Sequence, residues 1–383
     1  MRRIIMPTLE PLEWMPPTIN LIKKLSFLGY NVVCITLFQS EYLQNLNIPR
    51  VTNIWLSDKN CTLQNKIPYI KGVSGILYRL DKVIKKLVAK KLKKIVVQEL
   101  KKGGFLWVVN EMTVMLAGAR FLKKKNYAFT VYELHERKWY ARNIEKAAKM
   151  ARIVIVPEYN RAHIMAWRYR LKNVPYVMPN KSDILLDGLK LSEDAVTAIK
   201  LLTDKKNSGK KVILYMGGIN KERPLEGFLN SISKNDKYVL AIIGRQTTYL
   251  DILIRKYRER IIYLGAYNPP VHLAVAEHAD IGLLNYVGIS NAQGLNALYC
   301  APNKIFEYTG LGLPVIGNDI PGLRNDILYS HAGEVVDFDN SEEVLMALEK
   351  IFNSYNEYSK NALSFYDGVD IDKMLAEILS NFN

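Results

Sequence analysis

Cysteine is scarce in this chain of 383 residues, where only Cys34, Cys61 and Cys300 are present. An odd number of widely separated cysteines excludes a disulfide framework and predicts a reducing compartment. Four histidines also lack a Cys, His or carboxylate neighbour at metal-ligand spacing: His163, His272, His278 and His331. We therefore expect no metal site.

Long apolar runs are missing as well. No segment reaches the roughly 18 apolar residues that a membrane-spanning helix needs. The N-terminus begins like a signal peptide, but its apolar run stops at Glu10 and Pro11, short of the ~7–15 residues of a secretory core. We interpret this segment as the first strand of a folded domain and expect a cytoplasmic protein.

Acidic residues are fewer than basic ones: the chain has 37 Asp and Glu but 53 Lys and Arg, for a formal net charge of +16. Such a surplus predicts an anionic partner, which could be nucleic acid, an anionic membrane or a phosphorylated substrate. No strand interleaves aromatic and basic residues and no nucleic-acid-binding module is recognisable, so nucleic acid is the least favoured partner. A content of 49% hydrophobic and 23% charged residues excludes disorder.

Short apolar runs alternate with helix-like stretches in both halves of the chain. These runs predict strands at residues 4–6, 31–38, 105–109, 129–133, 153–156, 211–215, 238–243, 261–264, 281–284 and 314–316. The alternation is typical of βαβ units, and therefore of two Rossmann-like α/β domains with parallel sheets and a cleft between them. The polar stretch 204–210 is the best linker candidate.

Residues 81–102 form an amphipathic helix pattern. The apolar arc comprises Ile84, Leu87, Val88, Leu92, Ile95 and Val96, and the opposite face carries Lys82, Lys86, Lys90, Lys93 and Lys94. A cationic face of this kind suits an anionic membrane surface. It equally suits a helix whose apolar side packs on a sheet and whose lysines are merely solvated.

The sequence MGGINKERP at residues 216–224 follows an apolar strand. Gly217 and Gly218 let the backbone approach a ligand closely, and Pro224 suits the first turn of a following helix. Arg223 would then lie at a helix N-terminus, which favours an anion. The segment predicts a diphosphate-binding loop, with an ordinary βα turn as the alternative.

Glu307 lies in a short helix that opens at Pro302 and Asn303 and precedes a buried strand. A carboxylate in such a packed setting is costly unless it is paired or holds a ligand. The ribose diol of a nucleotide offers two O–H donors to one carboxylate.

The stretch PNKIFEYTGLGLPVIGNDIPGLRNDI closely resembles the signature of family-4 retaining glycosyltransferases of the GT-B fold, especially those of bacterial capsule and surface-polysaccharide pathways. Residues 215–225 resemble that family's donor-phosphate loop, and ELHE at 133–136 resembles an N-domain segment. The resemblance implies two Rossmann-like domains facing each other across a cleft. It divides the chain into an acceptor-binding domain (1–180, joined by a C-terminal helix at about 362–383) and a donor-binding domain (181–361).

The resemblance also implies roles for individual residues. Glu307 would hold the ribose, while Arg223, with the Gly217–Gly218 amides, would bind the diphosphate. His135 would lie beside the transferred sugar and the acceptor, with Glu133 and Glu136 on the acceptor side. Two positions depart from the family pattern: Tyr299 replaces a sugar-contacting Glu, and Gly218 replaces a phosphate-binding Arg. Lys304 or Arg245 would then assist Arg223.

The function so implied is transfer of a sugar, with retention, from a nucleotide diphosphate sugar to a lipid-linked or glycan acceptor. The donor is a co-substrate, and neither a cofactor nor a metal is expected. The protein would lie peripherally on the inner face of the cell membrane. Two alternatives stay open: a nucleotide-sugar 2-epimerase of the same fold, for which only Glu133 and Glu136 are candidate acid/base groups, and a non-catalytic scaffold at the membrane.

Overall fold

The computed structural model describes residues 2–9, 12, 15–56, 74–136, 138–286 and 294–382, with side chains for all of these except 41–42, 74–84 and 138–140. Cys61 and residues 287–293 lie outside this set. The chain divides into two compact units. Unit 1 comprises Met1–Pro179 and Ile371–Asn383, and unit 2 comprises Asn180–Asp370.

Unit 1 is built on a seven-stranded sheet in the order β3-β2-β1-β4-β5-β6-β7. Every strand pair is parallel. Its strands are β1 (Arg3–Pro7), β2 (Asn31–Thr36), β3 (Val51–Trp55), β4 (Phe105–Val109), β5 (Tyr127–Thr130), β6 (Ile153–Val156) and β7 (Tyr176–Val177). Its helices are α1 (Pro16–Phe27), α2 (Glu41–Asn45), α3 (Ser74–Lys101), α4 (Glu111–Ala117), α5 (Ala119–Leu122), α6 (Lys138–Met150) and α7 (Tyr159–Tyr169), with α17 (Ile371–Ser380) added from the C-terminus.

Unit 2 repeats this plan with a six-stranded parallel sheet in the order β10-β9-β8-β11-β12-β13. Its strands are β8 (Lys211–Met216), β9 (Tyr238–Ile243), β10 (Ile261–Tyr263), β11 (Ile281–Leu284), β12 (Val315–Asn318) and β13 (Gly333–Val336). Its helices are α8 (Glu193–Asn207), α9 (Glu226–Ile232), α10 (Thr248–Lys256), α11 (Val271–Ala276), α12 (Leu295–Leu298), α13 (Asn303–Gly310), α14 (Pro321–Ser330), α15 (Ser341–Asn353) and α16 (Tyr355–Gly368).

Both sheets have the strand order of a doubly wound Rossmann fold, with the order reversing between β1 and β4 and between β8 and β11. In unit 2, alternate residues of β8 point into separate cores on the two faces. Leu214 and Met216 join one core, and Ile213 and Tyr215 join the other. Strands buried on both faces explain why β8 and β9 are almost uninterrupted apolar runs.

The sequence missed three strands and misplaced one. β3 and β7 are edge strands and β13 is an edge strand of the second sheet, so their sequences are less uniformly apolar. The run predicted at 129–133 forms a strand only over Tyr127–Thr130. The chain leaves the sheet after Thr130, and Glu133 and His135 lie beyond the strand end.

The linker predicted at 204–210 is wrong. Most of it is the last turn of α8, where Lys205 and Lys206 lie beside the negative end of the helix dipole. This stretch is polar because it is an exposed helix end. The chain instead passes from unit 1 to unit 2 after Pro179 and returns at Ile371, whereas the sequence analysis put the return at about 362.

The amphipathic pattern at 81–102 belongs to the longer helix α3. Leu92 and Val96 are fully buried, but Leu87, predicted in the same apolar arc, is 62% exposed. A helix of 28 residues is about 42 Å long, while a five-residue strand spans about 17 Å, so α3 overhangs the sheet. Its C-terminal half is tied to β1 by an ion pair between Glu99 and Arg3. No helix within the described ranges is both long and apolar enough to cross a bilayer.

Candidate functional site

The loop after β8 lies at the point where the strand order of unit 2 reverses, which is where such sheets bind ligands. Gly217 has φ +118°, a conformation that favours glycine. Its N–H donates to the Ile243 carbonyl at 2.9 Å. That amide is therefore engaged in the sheet and cannot bind a phosphate, unlike the expectation for the glycine pair. Gly218 is exposed, and its N–H has no acceptor among the described residues.

Side chains from neighbouring elements hold this loop in one conformation. The Tyr215 hydroxyl donates to the Gly218 carbonyl at 2.8 Å, and Thr247 Oγ1 donates to the Ile219 carbonyl at 3.0 Å. Asn285, directly after β11, donates to the carbonyls of Arg223 and Pro224 at 3.1 and 3.0 Å. The loop is thus positioned from both sides of the strand-order reversal.

Arg223 lies before the next helix and not at its N-terminus, because α9 begins only at Glu226. Its guanidinium carbon lies 4.6 Å from the centroid of the Tyr286 ring. The Tyr215 side chain also lies close enough to interact electrostatically with the guanidinium. Two aromatic side chains therefore orient this cation at the carboxyl ends of β8 and β11.

Lys304, in the first turn of α13, places a second cation beside the same loop. Its Nζ lies 4.3 Å from the centroid of the Tyr215 ring. A Cβ on Gly217 would come within 2.8 Å of Lys304 Cε and 3.0 Å of Nζ. The Nζ atom exposes less than 1 Å² and has no protein acceptor among the described residues. Burial, and then the charge of Arg223, lower the Lys304 pKa to about 7.

Glu307 lies one turn after Lys304 on the same helix and is buried. Its Oε1 is 3.6 Å from Nε2 of His272, a residue of α11. This contact was not predicted, because His272 and Glu307 are far apart in the chain. His272 Nδ1 is buried and has no hydrogen-bond partner in the part of the chain that the structure describes.

Tyr308 fixes α13 against the sheet. Its hydroxyl accepts a hydrogen bond from the Met216 N–H at 2.9 Å, at the end of β8. Gly282 of β11 lies against the Tyr308 ring, since a Cβ there would come within 2.2 Å of it. This anchor brings Lys304 and Glu307 to the strand ends, so that Arg223, Lys304, Glu307 and the glycine loop form one cluster.

Arg245 was predicted to assist Arg223, and the neighbouring Gly244 does pack against the carbonyl of Gly217. Arg245 itself is exposed just after β9 and makes no hydrogen bond or ion pair with Lys304 or Glu307 in the described part of the chain. Tyr299 ends α12, and the backbone of α14 approaches it closely at Gly322. The segment 286–299 is rich in Gly and Asn, a composition that predicts a loop over the donor; its residues 287–293 lie outside the described residues.

In unit 1, His135 lies near Glu111, with His135 Nε2 3.9 Å from Glu111 Oε2. Glu111 is buried and its Oε1 accepts the Glu133 N–H at 2.8 Å. Glu111 was not predicted as a site residue, although it follows β4 and Asn110 at the carboxyl end of a strand. Asn110 has φ +59° and its Nδ2 is buried without a partner among the described residues.

Glu133 and Glu136 face different surroundings. The Glu133 side chain is about half exposed and lies 3.8 Å from the buried guanidinium of Arg161. Glu136 borders a small cavity with Arg142, Glu145 and Arg168. The two carboxylates therefore lie in separate environments and not as a close acid/base pair.

No group of three or more potential metal ligands occurs among the residues that the structure describes. The sequence identified the cations and the carboxylate of the unit 2 cluster. It missed the residues that orient them: Tyr215, His272, Asn285 and Tyr286. Only Asn285 and Tyr286 carried a signal, because they directly follow an apolar strand.

Neither a protein-family model nor a curated protein matches the chain. Several solved structures, however, have a similar fold. HepE of Anabaena in complex with UDP has a TM-score of 0.67 at 13% identity, over 99% of this chain and 100% of that one. Sucrose-phosphate synthase from Thermosynechococcus elongatus has a TM-score of 0.68 at 13% identity, over 99% of this chain and 98% of that one. A glycosyltransferase from Rickettsia africae has a TM-score of 0.69 at 14% identity, over 100% of this chain and 97% of that one.

These neighbours are glycosyltransferases of the GT-B fold. At such low identity the likeness concerns the fold, and it confirms the GT-B fold predicted from the sequence.

Proposed function

We propose that the chain is a retaining glycosyltransferase of the family-4 type that takes its sugar from a nucleotide diphosphate donor. The observation that carries the proposal is the cluster at the strand-order reversal of unit 2, where Arg223 and Lys304 flank a glycine loop and Glu307 follows on the same helix. Two cations suit a diphosphate, and a buried carboxylate suits a ribose diol. HepE, which shares this fold, is solved with UDP and with UDP-glucose.

In the proposed reaction the bond between the anomeric carbon and the diphosphate oxygen breaks, and a bond from the acceptor oxygen to that carbon forms. Negative charge grows on the departing phosphate. Arg223, Lys304 and the Gly218 N–H would stabilise this charge from fixed positions, which is an efficient form of catalysis. Because side-chain cations can neutralise the diphosphate, the proposal needs no metal ion. The acceptor proton leaves on the departing phosphate or on a nearby side chain.

We propose His135 and Glu111 of unit 1, with Glu133 and Glu136 close by in sequence, as the acceptor side. His135 lies beyond the carboxyl end of β5, where such sheets place functional groups. Glu111 supports His135 by its proximity and by the bond that it accepts from the Glu133 backbone. The acceptor would be a lipid-linked or glycan hydroxyl of a surface-polysaccharide pathway.

We further propose that unit 1 lies on the inner face of the cell membrane. Helices α3 to α7 form one layer, in which α3 contacts α4, α4 and α5 contact each other and α6, and α6 contacts α7. That layer exposes many cations: Lys85, Lys86, Lys90, Lys91, Lys94, Arg120, Lys123, Lys124, Arg142, Lys146 and Lys149. On α7, Trp167 is 83% and Tyr159 is 63% exposed. Exposed Trp and Tyr next to basic residues suit the headgroup region of an anionic bilayer.

A panel of UDP-, GDP- and ADP-sugars tests the proposed reaction. Release of nucleoside diphosphate, slow with water and faster with a glycan or lipid-linked acceptor, is the expected result. Interconversion of epimers without net release would instead show an epimerase. A folded protein that neither binds nor turns over any of these donors would be a scaffold, and the transferase proposal would be abandoned.

A further inference from the structure

The Lys304 ammonium group has no hydrogen-bond acceptor among the residues that the structure describes, although its surroundings exclude water from it. Tyr215 of β8 covers Nζ with its ring, and Gly217 lies against the end of the side chain. A buried ammonium group without a hydrogen-bond acceptor is costly. A site of this kind favours the neutral amine until an anion arrives.

The charged and titratable groups around Lys304 act in opposite directions. Arg223, from the loop after β8, disfavours the ammonium form. Glu307, on α13 itself, and Cys300, just before that helix, favour it. His272 of α11 lies against Glu307. Burial exceeds the carboxylate's influence, so the Lys304 pKa falls to about 7, within the physiological range.

We propose that Lys304 gains a proton as the donor diphosphate binds, so that donor binding is coupled to the uptake of one proton from solvent. This inference rests on the proposed function, because it takes the donor to be a nucleotide diphosphate sugar. The arriving negative charge raises the proton affinity of Nζ and supplies a hydrogen-bond acceptor, which Nζ does not find in the described part of the chain. The proton moves from water or buffer to Nζ, and no covalent bond of the donor changes in this step.

The coupling predicts how donor affinity depends on pH. Below pH 7 Lys304 is already charged and donor binding takes up little proton. Above pH 7 the amine must be protonated on binding, so affinity falls by up to about tenfold for each pH unit. A nucleotide sugar is a better probe than a free nucleoside diphosphate, because a terminal phosphate titrates near pH 6 and would add its own proton.

Calorimetry with UDP-glucose, GDP-mannose and ADP-glucose measures this uptake, in HEPES and in Tris at pH 8 and in MES and in Bis-Tris at pH 6. For whichever donor binds, we expect close to one proton per site at pH 8 and close to none at pH 6. Lys304→Met should abolish uptake and weaken binding at pH 6 by roughly 10- to 100-fold. Lys304→Arg, whose charge is permanent, should also abolish uptake. The exposed control Lys234→Met should match the wild type.

His272 lies against Glu307 at the same site, and the variant His272→Gln separates its contribution from that of Lys304. Proton uptake that persists in His272→Gln and disappears in Lys304→Met supports the inference. Binding without uptake at pH 8, or uptake that persists in Lys304→Met, overturns it and leaves the transferase proposal intact. If no donor binds the folded wild-type protein, both proposals fall.

Discussion

Glu307 is a buried carboxylate with a histidine 3.6 Å away. Glu307→Gln keeps the shape of the side chain but removes its charge, and with it one charge-assisted bond to the ribose. Such bonds contribute about 1.5–3 kcal/mol, so we expect a ten- to hundredfold loss of nucleotide affinity. Calorimetry on the folded variant measures this, with the exposed Glu349→Gln as control. If Glu307→Gln binds the nucleotide as tightly as the wild type does, Glu307 does not hold the donor and its assignment to the donor site is wrong.

Arg223 faces charge that grows as the diphosphate departs. Arg223→Ala should therefore reduce kcat more than it weakens donor binding, because the interaction strengthens in the transition state. Steady-state kinetics separate the two effects, and Lys221→Ala, an exposed change in the same loop, is the matched control. A rise in KM alone would mean that Arg223 contributes only to ground-state binding.

Lys304 should lower the stability of the folded protein. Its pKa is about 7 in the fold against an ordinary 10.5, so between these values the unfolded chain binds more protons and the stability of the wild type rises with pH. The destabilisation is greatest below pH 7 and fades toward pH 10.5. Lys304→Met should raise stability near pH 7 by roughly 1–4 kcal/mol, the range for apolar replacement of buried ionic groups.

Thermal unfolding at pH 6.5 and pH 9 checks this sign. The gap in Tm between Lys304→Met and wild type should be wider at pH 6.5. If the gap in Tm is equal at both pH values, or if Lys304→Met is less stable than the wild type, then the folded protein does not disfavour the charged form of Lys304.

At the scale of single elements, α3 combines a buried C-terminal half with an exposed lysine face. The exposed residues Lys86, Lys90, Lys91 and Lys94 are better targets than Lys93, which is half-buried near the Phe121 ring. Each lysine near an anionic leaflet contributes about 1 kcal/mol. Reversing all four to Glu should therefore release the protein from phosphatidylglycerol-containing vesicles in a flotation assay.

The matched control reverses four exposed lysines of unit 2, namely Lys190, Lys200, Lys234 and Lys360. It makes the same change in net charge. If both variants leave the vesicles equally, total charge and not the α3 face governs binding. If both variants stay bound to the vesicles, the α3 lysines do not contribute to membrane binding and are only solvated.

At the scale of the whole molecule, the C-terminus completes unit 1. Phe382 stacks on Phe105 of β4 with ring centroids 4.3 Å apart, and Leu375 and Ile378 are buried. Ending the chain at Asp370 should therefore destabilise unit 1 and leave unit 2 protected. Hydrogen exchange resolves the two units, and Phe382→Ala, with a cost on the order of 3 kcal/mol, is the milder test. If both units lose the same protection from hydrogen exchange, the C-terminal segment does not belong to unit 1 alone.

Much of the fold was predictable because strands buried on both faces leave a local signature. The apolar runs at β1, β4, β8, β9 and β11 needed no tertiary information. The edge strands β3, β7 and β13 were missed because one side of each lacks a neighbouring strand and their sequences are mixed. The linker at 204–210 was wrong because an exposed helix end and a linker have the same polar composition.

The sequence by itself determined the α/β alternation, the glycine loop and the spacing that puts Lys304 and Glu307 one turn apart. All of these depend on residues close together in the chain. Only the tertiary structure decided the partners: Tyr215 over Lys304, Tyr286 against Arg223, His272 against Glu307 and Glu111 beside His135. Parallel sheets bring distant strand ends to one edge, so these contacts join segments that no sequence window contains. The same burial that creates them removes water from Lys304 Nζ, and this desolvation sets its charge.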